Sequence, residues 1–345
     1  MVAQEDQNVV DGKKGTFADL LDGTFSLISH TWMTSLILGG VLFLPAAYIF
    51  GWAFGTFEES FQNIAEVAGR DPTSILATLG VAYLWIFLAA LVQGVLYLFV
   101  RACVTEHASR AARGDPANTF SVALHVIRHT YLRLLGQRVL QMIILSVTLG
   151  GVALISSVAI GILAVFKLKV VAILAGVVLG LAGIGVFVWL YVRYTVTLES
   201  LVIDGVGIDQ SFDRSMELVK HRWWRVFGYT LLFGLMISFA TSLIATPIVF
   251  FSTIRQFMHA LENALSENPS QKDFNAVFME ILSGLGRRLG ILQYIKGLIV
   301  SFVTPVFMTL LFLELKKQPA LSPLPQAVPP GIPGQPTTLP QGPES

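Results

Sequence analysis

Apolar positions fill six long runs of this chain, set apart by shorter polar stretches. The runs cover residues 33–54, 75–100, 139–166, 170–192, 226–254 and 291–313. Each meets the roughly 20 residues that a helix needs to cross the hydrocarbon core of a bilayer. None holds an Asp or Glu before its last residues. Lys296 is the one ionisable residue well inside a run, and it stands near the start of the sixth. From there its stem is expected to snorkel to the interface. The pattern predicts an all-α polytopic membrane protein with six transmembrane helices.

A second pattern lies ahead of three of the runs. Ile28-Ser29-His30-Thr31-Trp32, Ile127-Arg128-His129-Thr130-Tyr131 and Val219-Lys220-His221-Arg222-Trp223 share one order: apolar, any, His, polar, aromatic. The residues before each are apolar at helical spacing, as in Phe17, Leu20, Leu21 and Phe25, or Phe120, Ala123, Leu124 and Ile127, or Phe212, Met216 and Val219. Such a helix is suited to lie in the headgroup plane. Trp32, Tyr131, Trp223 and Trp224 then fall where aromatic rings collect, at the lipid–water boundary. The predicted unit is an interfacial helix followed by a helical hairpin. Three copies are expected, over about 16–100, 117–193 and 207–316, within a membrane domain of 16–317.

The connections on the far side differ. Residues 55–74 and 255–290 read as long loops, and 167–169 as a turn. Phe274, Val277, Phe278, Ile281, Leu282 and Leu285 predict an amphipathic helix, and Phe257, Leu261 and Leu265 a second one before it. Residues 1–15 and the Pro-rich 318–345 are expected to be disordered. A Pro-rich tail can serve an SH3-like partner, but a plain tail is the favoured reading.

Composition agrees with the membrane assignment. Hydrophobic residues make up 54% of the 345 and charged ones 13%, against about 25% charged in ordinary soluble domains. The net charge of +1 gives no field that points to nucleic acid. The chain opens without the pattern of a cleaved signal peptide, so the first run is expected to act as an uncleaved insertion signal. With the N-terminus in the cytoplasm, 15 of the 23 Lys and Arg fall on the cytoplasmic side and 8 on the other. That asymmetry predicts a multi-pass protein of the cell membrane with both termini inside.

Candidate chemistry is sparse. The lone Cys103 excludes an intrachain disulfide. His30, His129 and His221 are candidates to converge, and His125 adds a neighbour one turn from His129. The favoured reading is that each His simply ends an interfacial helix, with no metal and no cofactor. Residues 199–225 hold the densest charge, read for the most part as a solvated face. Asp204, in an Asp-Gly turn, and Arg214, inside the next helix, are expected to have specific structural roles. Glu314, at the end of the sixth run, is expected to pair with an Arg of a neighbouring loop. Gly51-xxx-Gly55 and Gly176-xxx-Gly180 allow close helix approach, and Pro45, Pro247 and Pro305 lie within runs. No nucleotide-binding, zincin or serine-hydrolase motif is present.

Two stretches resemble the family named for the membrane domain of glycerophosphoryl diester phosphodiesterase, with its bacterial and archaeal relatives of unknown function. The first is residues 198–233, where Asp204, Gly205, Arg214, Ser215, Leu218, Trp224 and Gly228 stand at matching positions. The second is residues 304–316, which resembles the family's closing Tyr-Phe-Asp-Leu-Arg segment. Phe312, Glu314 and Lys316 replace its Tyr, Asp and Arg, and Glu199 replaces a usual Pro. Residues after 317 carry no phosphodiesterase domain and no His-Arg-Gly signature, so the resemblance implies no enzyme activity. It implies a lipid-facing scaffold.

The sequence therefore leads to a non-catalytic membrane protein that organises lipid or a partner protein. Its anionic headgroup contacts are expected at His221, Arg222, Trp223, Trp224 and Arg225, and at the arginines 110, 113, 128 and 133. The alternative is a transporter that moves a lipid or a small uncharged or amphipathic solute through a cavity between repeats. An intramembrane hydrolase has only Glu199 and Glu314 to rest on.

Overall fold

The structure is a computed structural model, and it describes residues 16–67, 72–115, 118–166, 169–266 and 285–317. The described residues are helical with short turns: α1 (Phe17–Val67), α2 (Pro72–Ala111), α3 (Thr119–His125), α4 (Tyr131–Val165), α5 (Lys169–Arg193), α6 (Thr197–Ile203), α7 (Ile208–Lys220), α8 (Trp223–Ser266) and α9 (Leu285–Lys317). Six helical segments are long and apolar enough to cross a membrane. They make a multi-pass membrane protein.

The expected interfacial helices join their spans in three different ways. In the first unit there is no joint, because α1 runs unbroken through His30 and Trp32. Thr16 and Asp19 cap its start reciprocally, Asp19 N–H donating to Thr16 Oγ1 and Thr16 N–H to the Asp19 carboxylate. Its buried hydroxyls then bond back along the helix: Thr24 donates to Leu20 O, Thr31 to Leu27 O and Ser35 to Thr31 O. Polar residues that read as an interfacial break are thereby absorbed without one. In the second unit α3 passes into α4 through a π-helical stretch, Val126–Thr130, which contains Arg128 and His129. Only the third has a break, at His221-Arg222 between α7 and α8.

One expected loop is helical, and the helix expected around residues 257–265 is present as the end of a longer one. Residues 55–67 continue α1, and Phe257 to Leu265 continue α8. No proline stands in either stretch to stop a helix already under way. The expected helix at Phe274–Leu282, the segment 1–15 and the tail 318–345 lie outside the described residues.

α1 and α2 are antiparallel, as are α1 and α9. Trp52 meets Trp85, Phe43 meets Tyr97, and Leu27 packs in one cluster with Val100, Val104, Ala108 and Val306. Against α9, Ala47 and Gly51 face Gly290, Phe43 faces Gly297, and Gly23 faces Leu310. A Cβ on Gly290 would come to 2.9 Å from Ala47 O, so glycine alone permits this approach. The close pair is thus Ala47/Gly51 against Gly290; a Cβ on Gly55 or Gly180 would meet nothing. The core concentrates at the end that holds Phe17 and Lys317, called here the proximal side. There Leu20, Val196, Val219, Val226, Phe307, Leu311 and Phe312 close one cluster. The stretch 102–109 of α2 is buried throughout although it includes Thr105, Glu106, His107 and Ser109. By contrast α4 and α5 leave most of their apolar surface exposed.

Candidate functional site: a basic, aromatic cleft at the proximal rim

The α7–α8 break places consecutive residues Lys220 to Arg225 around a cleft of about 750 Å³, with Gly185 and Trp189 of α5 as its other wall. Trp223 fixes that wall. Its indole N–H reaches Trp189 O at 3.4 Å, its ring stacks on Phe227 at 5.2 Å, and it meets Trp224 edge-on at 4.8 Å. Trp224 is left 77% exposed. Arg193 lies 4.2 Å over the Trp189 ring, which adds a cation to the same wall.

The cations of the cleft differ in freedom. Arg222 donates to Leu315 O at 2.9 Å, and so spans from the break to the end of α9. Arg225 stands 3.7 Å from Glu314 and 5.2 Å from the Tyr229 ring. These two hold the cleft together as much as they charge it. Lys220 and His221 are exposed. Cations, indole rings and an open mouth are chemically suited to an oxyanion whose carrier has an apolar part.

A clamp stands behind the cleft. α6 ends at Asp204, and Gly205, with φ of 66°, turns the chain as only glycine does readily. The Asp204 carboxylate receives Lys316 Nζ at 2.6 Å and has Arg214 at 3.9 Å, while Arg214 also lies 3.7 Å from Glu217. Asp204, Arg214, Glu314 and Arg225 thus surround the proximal end of α9. Ser215, buried in α7, donates to Arg193 O at 2.7 Å.

Glu199 departs from the solvated face expected for its stretch. It is fully buried and accepts from Arg101 at 2.7 Å. The short helix α6 turns it inward, against α2, because Leu198, Leu201 and Val202 on the same helix enter the core. Among the described residues Arg101 Nε, Thr105 Oγ1, His107 Nδ1, Glu199 Oε2 and Ser200 Oγ are buried without a hydrogen-bond partner. The pairing joins residues 98 positions apart, and no local sequence signal announces it.

The repeated histidines sit on separate elements. His30 is exposed on α1, with Nδ1 at 3.1 Å from Ser26 O. His129 is exposed in the π-helical stretch, its ring 5.1 Å from that of His125. His221 lines the rim cleft. Among the described residues no three His, Cys, Asp or Glu gather as a metal site. Of the expected basic contacts, Arg110 is paired with Glu106 at 2.7 Å, and Arg113 donates to Ser109. Arg128 and Arg133 are exposed. Comparison of the chain with protein-family models, with curated proteins and with solved structures returns no match.

Proposed function

We propose that this chain is a non-catalytic protein of the cell membrane that gathers anionic lipid at its cytoplasmic rim. The carrying observation is the cleft itself, where Lys220, His221, Arg222 and Arg225 alternate with Trp223, Trp224 and Trp189 at the ends of two spans. Aromatic rings settle at the headgroup level, and cations there attract anionic headgroups. The excess of Lys and Arg on the proximal side supports a cytoplasmic position for that side and both termini. The three lead-in segments 17–32, 119–131 and 208–223 are read as copies of one unit. This agrees with the lipid-facing scaffold that the resemblance over residues 198–233 implies.

The test compares lipid enrichment around the purified full chain in nanodiscs of phosphatidylcholine with one-fifth phosphatidylglycerol, read by native mass spectrometry. Lys220→Gln is the informative variant, because Arg222 and Arg225 also hold α9. Wild type enriches phosphatidylglycerol, and Lys220→Gln together with Trp224→Ala lowers the enrichment while the melting temperature stays put. Equal occupancy by both lipids in wild type sinks the proposal.

A transport role is the second reading. One observation favours it: a cleft of about 320 Å³ opens between α1, α2 and α9.

A further inference from the structure

The cleft between α1, α2 and α9 lies at a depth where polar side chains are rare. Trp32 and Trp52 are both exposed, 46% and 47%, and stand twenty residues apart on α1. Helical rise puts about 30 Å between them, the thickness of a bilayer's hydrocarbon core. Trp85 lies beside Trp52, with ring centroids at 5.0 Å, and so shares the distal boundary. The midpoint falls at Leu42. Phe43, its neighbour, packs against Tyr97 and against Gly297, and the Tyr294 hydroxyl reaches Gly40 O.

By that ruler Lys296, exposed and next to Gly297, falls about halfway through the slab. The boundary is roughly 15 Å away on either side, more than twice what a four-carbon stem covers. An ammonium held at that depth is costly and marks a functional position.

The lining tells what the position is for. Lys296 shares the cleft with Gln93, Gln293 and Tyr97, and Phe43, Phe50, Ala90 and Val300 supply its apolar walls. Gly94 and Gly297 leave the space open. No Asp or Glu lines it. Among the described residues Lys296 has no ion-pair partner. Glu199, a buried carboxylate of α6, is already engaged by Arg101, one turn along α2 from Tyr97. The site thus offers one cation, two amides and one phenol to a ligand that must itself be apolar elsewhere.

We propose that this cleft binds the oxyanion headgroup of an amphiphile, with Lys296 as counterion and Gln93, Gln293 and Tyr97 as hydrogen-bond donors. The oxyanion is a carboxylate or a phosphate, and its chain lies along the apolar walls toward the lipid. The proposal is separate from that for the rim, which uses other residues on other helices.

The experiment uses the full chain in nanodiscs of phosphatidylcholine. Native mass spectrometry follows added oleate, phosphatidic acid and, as neutral control, monoolein. Wild type binds one anionic amphiphile in preference to monoolein. Lys296→Met weakens it at least about tenfold, as expected for loss of one charge-assisted hydrogen bond, and Lys296→Arg restores it. Gly297→Leu, which fills the cleft and keeps the lysine, also weakens it, and guards against a misfolded Lys296→Met. Preference for oleate assigns a carboxylate and preference for phosphatidic acid a phosphate. Monoolein binding as tightly as both, or Lys296→Met binding like wild type, overturns the proposal. The rim proposal is scored on phosphatidylglycerol enrichment and this one on Lys296 variants, so either fails alone.

Discussion

Arg101 on α2 and Glu199 on α6 form an ion pair of 2.7 Å in which the carboxylate has no exposure at all. The pair ties α6 to α2. Removing one partner strands a charge inside, which costs about 3–5 kcal/mol. Glu199→Leu and Arg101→Met should each lower the unfolding free energy by that order in detergent. The double variant should recover much of the loss, since an apolar pair of similar volume serves a buried site as well as ions do. Equal losses for single and double variants would show that the two residues act separately.

The Asp204 carboxylate, by contrast, faces half-open surroundings. Lys316 is 44% exposed, so Lys316→Ala should cost no more than about 1 kcal/mol. Asp204→Ala should cost more than either Lys316→Ala or Arg214→Ala, because it releases both cations. A double-mutant cycle on thermal unfolding measures the coupling.

Gly290 sets the distance between α1 and α9. Gly290→Ala brings a methyl against Ala47 O and Gly51 Cα. The helices must part, at a cost of about 1–3 kcal/mol for an overpacked contact. The measurement is the melting temperature of the purified variant. Gly55→Ala is the control, since a Cβ there meets nothing and stability should hold.

His30, His129 and His221 stand on different elements without gathering as a metal site. Zinc in hundredfold excess of a micromolar dissociation constant would raise stability by about 2.7 kcal/mol if a native site existed. The expected outcome is no shift of the melting temperature with zinc or with a chelator.

What the sequence made legible follows from the range of each signal. A span is a local property: twenty apolar residues suffice, and all six appear as helices. The turn at Asp204-Gly205 is local too, and it takes the left-handed glycine its residues call for. The continuous course of α1 was hidden because Thr24, Ser29, His30 and Thr31 read as interfacial, whereas buried hydroxyls bonded to their own helix cost it little. The Arg101–Glu199 pair was hidden for another reason. Each residue falls in a stretch where charge is ordinary, and only the packing of α6 on α2 brings them together. The depth of Lys296 needed a neighbour for a ruler. Its place in its own run says it is near an end, and only the packing of Gly297 on Phe43 sets its register against α1.

The waist between Trp32 and Trp52 is set in one uninterrupted helix, braced along its length by α2 and α9. A protein so built has no cheap way to shorten or lengthen its own greasy belt. Short of tilting as a body, it makes the lipid around it stretch or compress in a thinner or thicker membrane, at fractions of a kcal/mol per Å. The chain should therefore sort by bilayer thickness, and lie most comfortably where acyl chains match those twenty residues.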